Sequence, residues 1–259
     1  MLIAKNILTD ERYLPYTEKN YEEIINNKDN LVCPYCKNKV IFVNGQEKIE
    51  HFRHKVENNC SFEPEIIEHL NMKLFLINSL KLNKEQVEVN LGYSKPDLFI
   101  KEKNLAIEVQ HSPISEQKFI ERTSNYSKNG IYVLWIFDSC LYKKRVASFL
   151  RKAHELYFGR VYFFIKNKIV PIHFKPKQVW VEEKEIPEYI DNFEDYKNNG
   201  FEPYYNKVGG YYKTLKTEKE IEFGKTIDIK LENLLFSRNN WKTNNYLIAK
   251  FNDEVFWKK

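Results

Sequence analysis

The sequence is short of cysteine and glycine and has no long apolar run, and each shortage removes a class of protein. No stretch approaches the length of a membrane-spanning helix, and the N-terminus has neither an apolar secretory core nor a cleavage signature. A cytoplasmic location is therefore expected. Four cysteines in 259 residues, three of them between positions 33 and 60 and the fourth at Cys140, do not make a disulfide framework. The 8 glycines form no phosphate-cradling loop, which argues against an ATP-driven system. No internal repeat is present. The formal charge of +5 is modest for a nucleic-acid binder, so any basic face must be local, as at Lys143-Lys144-Arg145 and Arg151-Lys152.

Two acidic residues stand in apolar surroundings. Asp97 follows Lys95-Pro96 and opens the run Leu98-Phe99-Ile100, and Glu108 sits inside Leu105-Ala106-Ile107-Glu108-Val109-Gln110. Glu102-Lys103-Asn104 is a polar turn between them, so the two runs read as one hairpin. Alternation puts Glu108 and Gln110 on one face of the second strand and Ile107 and Val109 on the other. A carboxylate amid Ile, Val and Leu is costly unless a metal, a cation or a proton accompanies it.

Upstream, the helical spacing from Glu65 to Leu80 predicts a helix with Pro64 in its first turn. Glu65, His69 and Lys73 recur every four residues on one face, where His69 and Lys73 can approach a phosphate. Ile66, Leu70, Leu74 and Ile77 make a separate stripe facing the core. Downstream, Ser115 caps a helix that ends before Gly130, and the apolar run to Phe137 is a buried strand. Arg122 and Tyr126 share a face of that helix. A strand, a crossover helix and a buried strand form a parallel unit, so the class is α/β with a mixed sheet flanked by helices. Val146 to Tyr157 reads as a further amphipathic helix, and Gly159 to Phe174 as a hairpin that extends the sheet.

A second chemistry lies earlier. Cys33-Pro34-Tyr35-Cys36 is a knuckle that presents two thiolates to one metal, and His51-Phe52-Arg53-His54 with Cys60 can complete a tetrahedral zinc site. On a strand His51 and His54 point to opposite faces, so one of them ligates. His54, nearer the turn that brings Cys60 round, is preferred, with His51 as the alternative. A redox Cys-x-x-Cys is the competitor, but the hairpin-like Lys39 to Gln46 suits a zinc ribbon better.

Taken together, His69 to Lys73, Lys95-Pro96-Asp97, Ala106 to Gln110 with Ser112 and Ile114-Ser115, Glu121-Arg122-Thr123, Tyr126 and Trp135-Ile136 resemble the competence protein CoiA family. That family is similar in fold to the PD-(D/E)XK nuclease superfamily. The resemblance covers roughly residues 30–175 and includes the Cys-Pro-x-Cys and His-Phe-x-His segments. It implies a restriction-endonuclease-like sheet and a protein acting on DNA in uptake and recombination, where recombination proteins are implied partners. By the same resemblance Asp97 is the first metal-binding acid and Glu108 the second, and Gln110 stands where a lysine is usual. Lys73 or Lys95 is then the source of the missing positive charge.

Three regions are expected: a zinc-ribbon-like unit over 1–62, a nuclease-like domain over 63–175 and a β-rich tail over 176–259. The expected chemistry is phosphodiester hydrolysis of single-stranded, duplex or branched DNA. Asp97, Glu108 and the Val109 carbonyl hold Mg²⁺ or Mn²⁺, Gln110 orients water, and Lys73 with His69 offsets charge. Glu65 or Glu68 binds a second ion or fixes the helix, and Lys95, Arg122 and Tyr126 are candidate DNA contacts. The neutral Gln110 sustains a second reading, a non-catalytic zinc-containing DNA-binding accessory protein. In the tail, Tyr204-Tyr205 and Tyr211-Tyr212 beside Lys207 and Lys213 suit core packing or base stacking, and Tyr246 to Trp257 suits a closing strand or hairpin.

Overall fold

A computed structural model describes residues 1–16, 18–45, 49–55, 60, 65–142, 146–157, 161–181, 211–223, 241–243 and 246–248. The chain begins with β1 (Ala4–Asn6), β2 (Arg12–Tyr13), α1 (Glu18–Asn26) and β3 (Leu31–Val32), and β1 pairs antiparallel with both β2 and β3. The three strands are too short for alternation to be read from sequence, and the segment contributes to a small core of Met1, Ala4, Tyr13, Ile24, Leu31, Cys33, Val40 and Phe52. Next come β4 (Val40–Val43) and β5 (His51–His54), an antiparallel pair with Val40 opposite His54 and Val43 opposite His51.

The larger part follows as α2 (Ile67–Leu80), β6 (Leu98–Ile100), β7 (Leu105–Gln110), α3 (Glu116–Lys128), β8 (Tyr132–Asp138), α4 (Ser148–Leu156), β9 (Val161–Ile165) and β10 (Lys168–Val181). Then come β11 (Tyr211–Phe223), β12 (Trp241–Thr243) and β13 (Tyr246–Ile248). β6 and β7 form the expected antiparallel hairpin, turned by Asn104 in the left-handed region at φ 48°. β7, β8 and β9 run parallel, and β9 and β10 close as an antiparallel hairpin. Lys166 and Asn167, with φ 48° and 56°, have the paired positive φ of a turn whose twist suits two adjacent strands. β13 pairs antiparallel with β12 and touches β8 at Val133.

Alternation then sorts the layers. Phe119 of α3 packs on Trp135 and Phe137, and Phe149 of α4 on Phe137. Phe163 meets Phe137 on that face, whereas Phe164, its neighbour, meets Phe75 of α2 on the other. The sheet is thus sandwiched between α2 and the α3–α4 pair, a mixed α/β architecture with one continuous core. α3 starts as the sequence predicts, with the Ser115 hydroxyl accepting from the Lys118 amide at 3.1 Å.

α2 departs from the expected pattern. Ile66, assigned to the core stripe, is 45% exposed, whereas Lys73 on the polar stripe is fully buried. The reason is that α2 is covered on both sides: the sheet takes Leu70, Leu76 and Ile77, and Glu65, Glu88 and Asp97 enclose Lys73. β10 also runs further than the hairpin end expected near Phe174. The chain divides into two compact units, Met1–Phe174 with Ile221–Lys259, and Lys175–Glu220. The second holds residues 175–181 of β10 and 211–220 of β11, two adjacent strands. Among the described residues no helix is long and apolar enough to cross a membrane. Lys143-Lys144-Arg145, Tyr204-Tyr205, Lys207 and Val255 to Trp257 lie outside the described residues.

Candidate functional site

The mouth of the β6–β7 hairpin faces the first turns of α2, and this contact builds the site. The Val109 amide donates to Asp97 Oδ2 at 2.8 Å, which fixes the carboxylate against β7. His69 Nε2 lies 3.0 Å from the Val109 carbonyl oxygen and 3.6 Å from Asp97 Oδ2, and His69 Nδ1 lies 3.4 Å from Glu65 Oε1. One ligand atom each from Glu65, His69 and Asp97 falls within 4.8 Å of the others, close enough to share a cation. Glu65 Oε2 is buried 3.1 Å from the Met1 amine and has no directed hydrogen bond.

Lys73 lies beneath this trio. Its Nζ is 2.6 Å from Glu65 Oε1, 2.5 Å from Glu88 Oε1 and 3.4 Å from Asp97 Oδ1. Of the two lysines expected to replace the one absent at Gln110, Lys73 reaches Asp97. Lys95 instead lies over the Tyr35 ring, 4.2 Å from its centroid. Glu68 is exposed on α2, away from the cluster.

Glu88 is the residue that sequence reasoning missed. It sits in an irregular segment at φ 47°, and its carboxylate accepts from the amides of Leu2 (2.9 Å) and Ile3 (3.2 Å) besides Lys73. The available signal was Val87-Glu88-Val89, an acid between two β-branched residues, which is the argument applied to Glu108. Tyr35, inside the Cys-x-x-Cys knuckle, donates to the Glu88 carbonyl and so ties the knuckle to this cluster.

Burial alone would keep these groups neutral, and their mutual charges win. Burial raises Asp97, but Lys73 and His69 outweigh it and hold the carboxyl well below its ordinary range. Burial lowers Lys73, and Glu65, Glu88 and Asp97 drive it well above the usual ammonium value. Burial lowers His69 too, yet the Asp97 charge leaves it raised.

Glu108 differs in environment from the other acids. It is fully buried, accepts from Arg122 at 2.6 Å and from the Tyr126 hydroxyl at 2.5 Å, and is pushed up by burial to about 7 against the pull of Arg122. Arg122 and Tyr126, the candidate DNA contacts on α3, are thus both engaged with Glu108, Arg122 as its ion-pair partner and Tyr126 as a hydrogen-bond donor. Arg122 also stacks over Trp135, its Cζ 4.7 Å from the ring centroid. Gln110, expected to orient water, donates instead to the Ser112 carbonyl oxygen at 2.6 Å. The chain turns sharply after β7, and that nearby carbonyl captures the amide.

The knuckle after β3 gathers the second group. Cys33, Cys36, His54 and Cys60 place their ligand atoms within 4.8 Å of one another, with Cys36 Sγ 3.2 Å from His54 Nε2 and Cys33 Sγ 4.0 Å from Cys60 Sγ. His51, the alternative, is turned away and lies 2.7 Å from the Ile49 carbonyl oxygen through Nδ1. Three thiols and one imidazole are a soft tetrahedral donor set. In the absence of an ion, burial pushes Cys33 up to about 12, a proton that a bound metal would displace.

A helix-flanked mixed sheet with an acid cluster at a hairpin mouth, preceded by a Cys₃His group, defines a nuclease-like α/β protein with a candidate metal-binding N-terminal segment. The chain belongs to the competence protein CoiA family. Residues 65–180 match the family's nuclease-like domain, and residues 16–63 match its N-terminal domain. Competence protein CoiA of Bacillus subtilis (strain 168) is 31% identical over 125 residues, which is 45% of this chain and 34% of that relative, so the match spans about a third of the relative's length. No solved structure matches.

Proposed function

We propose that this chain is a divalent-metal-dependent DNA nuclease, hydrolysing phosphodiester bonds during DNA uptake, recombination or processing. The observation that carries the proposal is the convergence of Asp97, Glu65 and His69, with a buried Glu65 oxygen that lacks a directed hydrogen bond. Three carboxylates, Glu65, Glu88 and Asp97, face two fixed cations, Lys73 and the Met1 amine, so with His69 neutral the pocket keeps one net negative charge, which favours a cation.

Asp97 and Glu65 would hold Mg²⁺ or Mn²⁺, with His69 as the nitrogen neighbour. Such an ion supplies Lewis acidity and a lowered pKa for water at the site. Lys73 keeps both carboxylates ionised, and the Val109 amide fixes the orientation of Asp97. Glu108 contributes by anchoring Arg122 beside the strand, and it reaches a ligand only if Arg122 and Tyr126 release it. Zn²⁺ at Cys33, Cys36, His54 and Cys60 would be structural, since four protein ligands leave no open position. DNA and recombination proteins in the cytoplasm are the proposed partners.

The commitment of Glu108 to Arg122 and Tyr126, and of Gln110 to Ser112, favours the second reading, an accessory protein that binds DNA without cutting it. Calorimetric titration with Mn²⁺ separates the two. The nuclease reading expects binding that is lost in Asp97→Asn and Glu65→Gln and that tightens with rising pH as His69 gives up its proton. Wild type that binds no more Mn²⁺ than these variants sinks that reading.

A further inference from the structure

A third cluster, outside both groups above, sits where the parallel strands β7 and β8 end. His111 follows β7 directly, Asp138 is the last residue of β8, and Cys140 lies in the single 3₁₀ turn that follows. Gln110 pairs with Phe137, so His111 and Asp138 are brought side by side by strand register and not by chance of a loop. The C-terminal ends of parallel strands are where open α/β sheets bind ligands.

The geometry converges on one point. His111 Nδ1 is 3.0 Å from Asp138 Oδ2 and 3.8 Å from Cys140 Sγ, and one ligand atom of each residue lies within 4.8 Å of the others. Around a tetrahedral zinc with bonds of about 2.0–2.3 Å, such edges would be about 3.3–3.6 Å. Small adjustments therefore suffice to close the set. Asp138 Oδ1 is held by the Cys140 amide at 2.7 Å and lies 3.3 Å from the Ser139 hydroxyl, which leaves Oδ2 turned to His111.

A Cys–His proton relay fits this arrangement poorly. Cys140 Sγ is nearly equidistant from the two ring nitrogens, at 3.8 and 3.9 Å, in line with neither, and lies 3.2 Å from the His111 carbonyl oxygen as a thiol donor. We propose that His111, Asp138 and Cys140 form a third metal site, for a borderline divalent transition-metal ion such as Zn²⁺. Thiolate and imidazole together select against Mg²⁺. Three protein ligands leave one position open, and with Cys140 exposed that position faces solvent. Binding expels the thiol proton to solvent and replaces the contact to the His111 carbonyl.

The test is exchange of Co²⁺ into the folded 259-residue chain, counting equivalents that give a sulfur-to-cobalt charge-transfer band. Wild type is expected to take up one more such equivalent than Cys140→Ser or His111→Asn. The band from Cys33, Cys36 and Cys60 persists in these variants and serves as the control for folding. Asp97→Asn is expected to retain the extra equivalent, because an ion held by carboxylates gives no sulfur band. Equal sulfur-bearing stoichiometry in wild type and both variants overturns the proposal.

Discussion

Removing the positive charge of Lys73 tests the electrostatic basis of the site. Lys73 is fully buried and touches Glu65, Glu88 and Asp97 at 2.6, 2.5 and 3.4 Å, so Lys73→Met leaves three carboxylates without their shared cation. Breaking a buried ion pair by deleting one partner costs about 3–5 kcal/mol. At about 2–4 °C per kcal/mol for a chain of this size, Tm should fall by about 6–20 °C. The effect must depend on pH. In wild type the folded pKa of Asp97 is depressed, so its contribution to stability is present above the unfolded value of about 4 and is lost as pH falls through the folded one. In the variant at least one carboxylate takes up a proton, its folded pKa rises above the unfolded one, and stability falls as pH rises. Urea denaturation at pH 5 and pH 8 should therefore show a gap between the two proteins that widens with pH. Adding Glu88→Gln should recover about 1–3 kcal/mol as a coupling term. A loss below about 1 kcal/mol, or a gap independent of pH, would mean that Lys73 is not the charge that holds these carboxylates ionised.

Glu108 is expected to give a slope opposite to that of wild-type Asp97: its pKa is raised to about 7, so the folded state binds the extra proton and loses stability as pH rises from about 4.5 to about 7, by about 3 kcal/mol. Glu108→Gln should remove that decline, and denaturation midpoints across this range that keep the wild-type slope would contradict the assignment. Ser115→Ala deletes the cap on α3 and should cost about 1 kcal/mol with no change in metal binding; a neutral result by thermal melting would mean that Lys118 finds another acceptor. Chelating the ion proposed at Cys33, Cys36, His54 and Cys60 should accelerate amide hydrogen exchange in β4 and β5 and, through Tyr35, around Glu88. Unchanged protection at Glu88 would disconnect the knuckle from the acid cluster.

The hairpin carrying Asp97 and Glu108, the Ser115 cap and the β7–α3–β8 crossover were legible because each rests on local chemistry: a polar turn, a hydroxyl before a helix, and a continuous apolar run. The grouping of Cys33, Cys36, His54 and Cys60 followed from ligand type and spacing. What escaped the sequence depends on tertiary partners. Periodicity assigned Lys73 to a polar face because it cannot foresee that Glu88, from an irregular segment, will cover it. Alternation put Glu108 and Gln110 on one face, and it carries no information that Arg122 and Tyr126 would claim the first while Ser112 captured the second. β1 and β2 went unread since two or three residues of strand hold no resolvable period.

The most direct measurement of the central claim is cleavage of labelled single-stranded, duplex and branched DNA by the full chain with Mg²⁺ or Mn²⁺, beside folded Asp97→Asn and Glu65→Gln variants. Metal-dependent cutting by wild type, lost in both variants while they still bind DNA, is the expected result. Wild type that binds these DNAs and never cuts them, with both variants binding equally well, would contradict it.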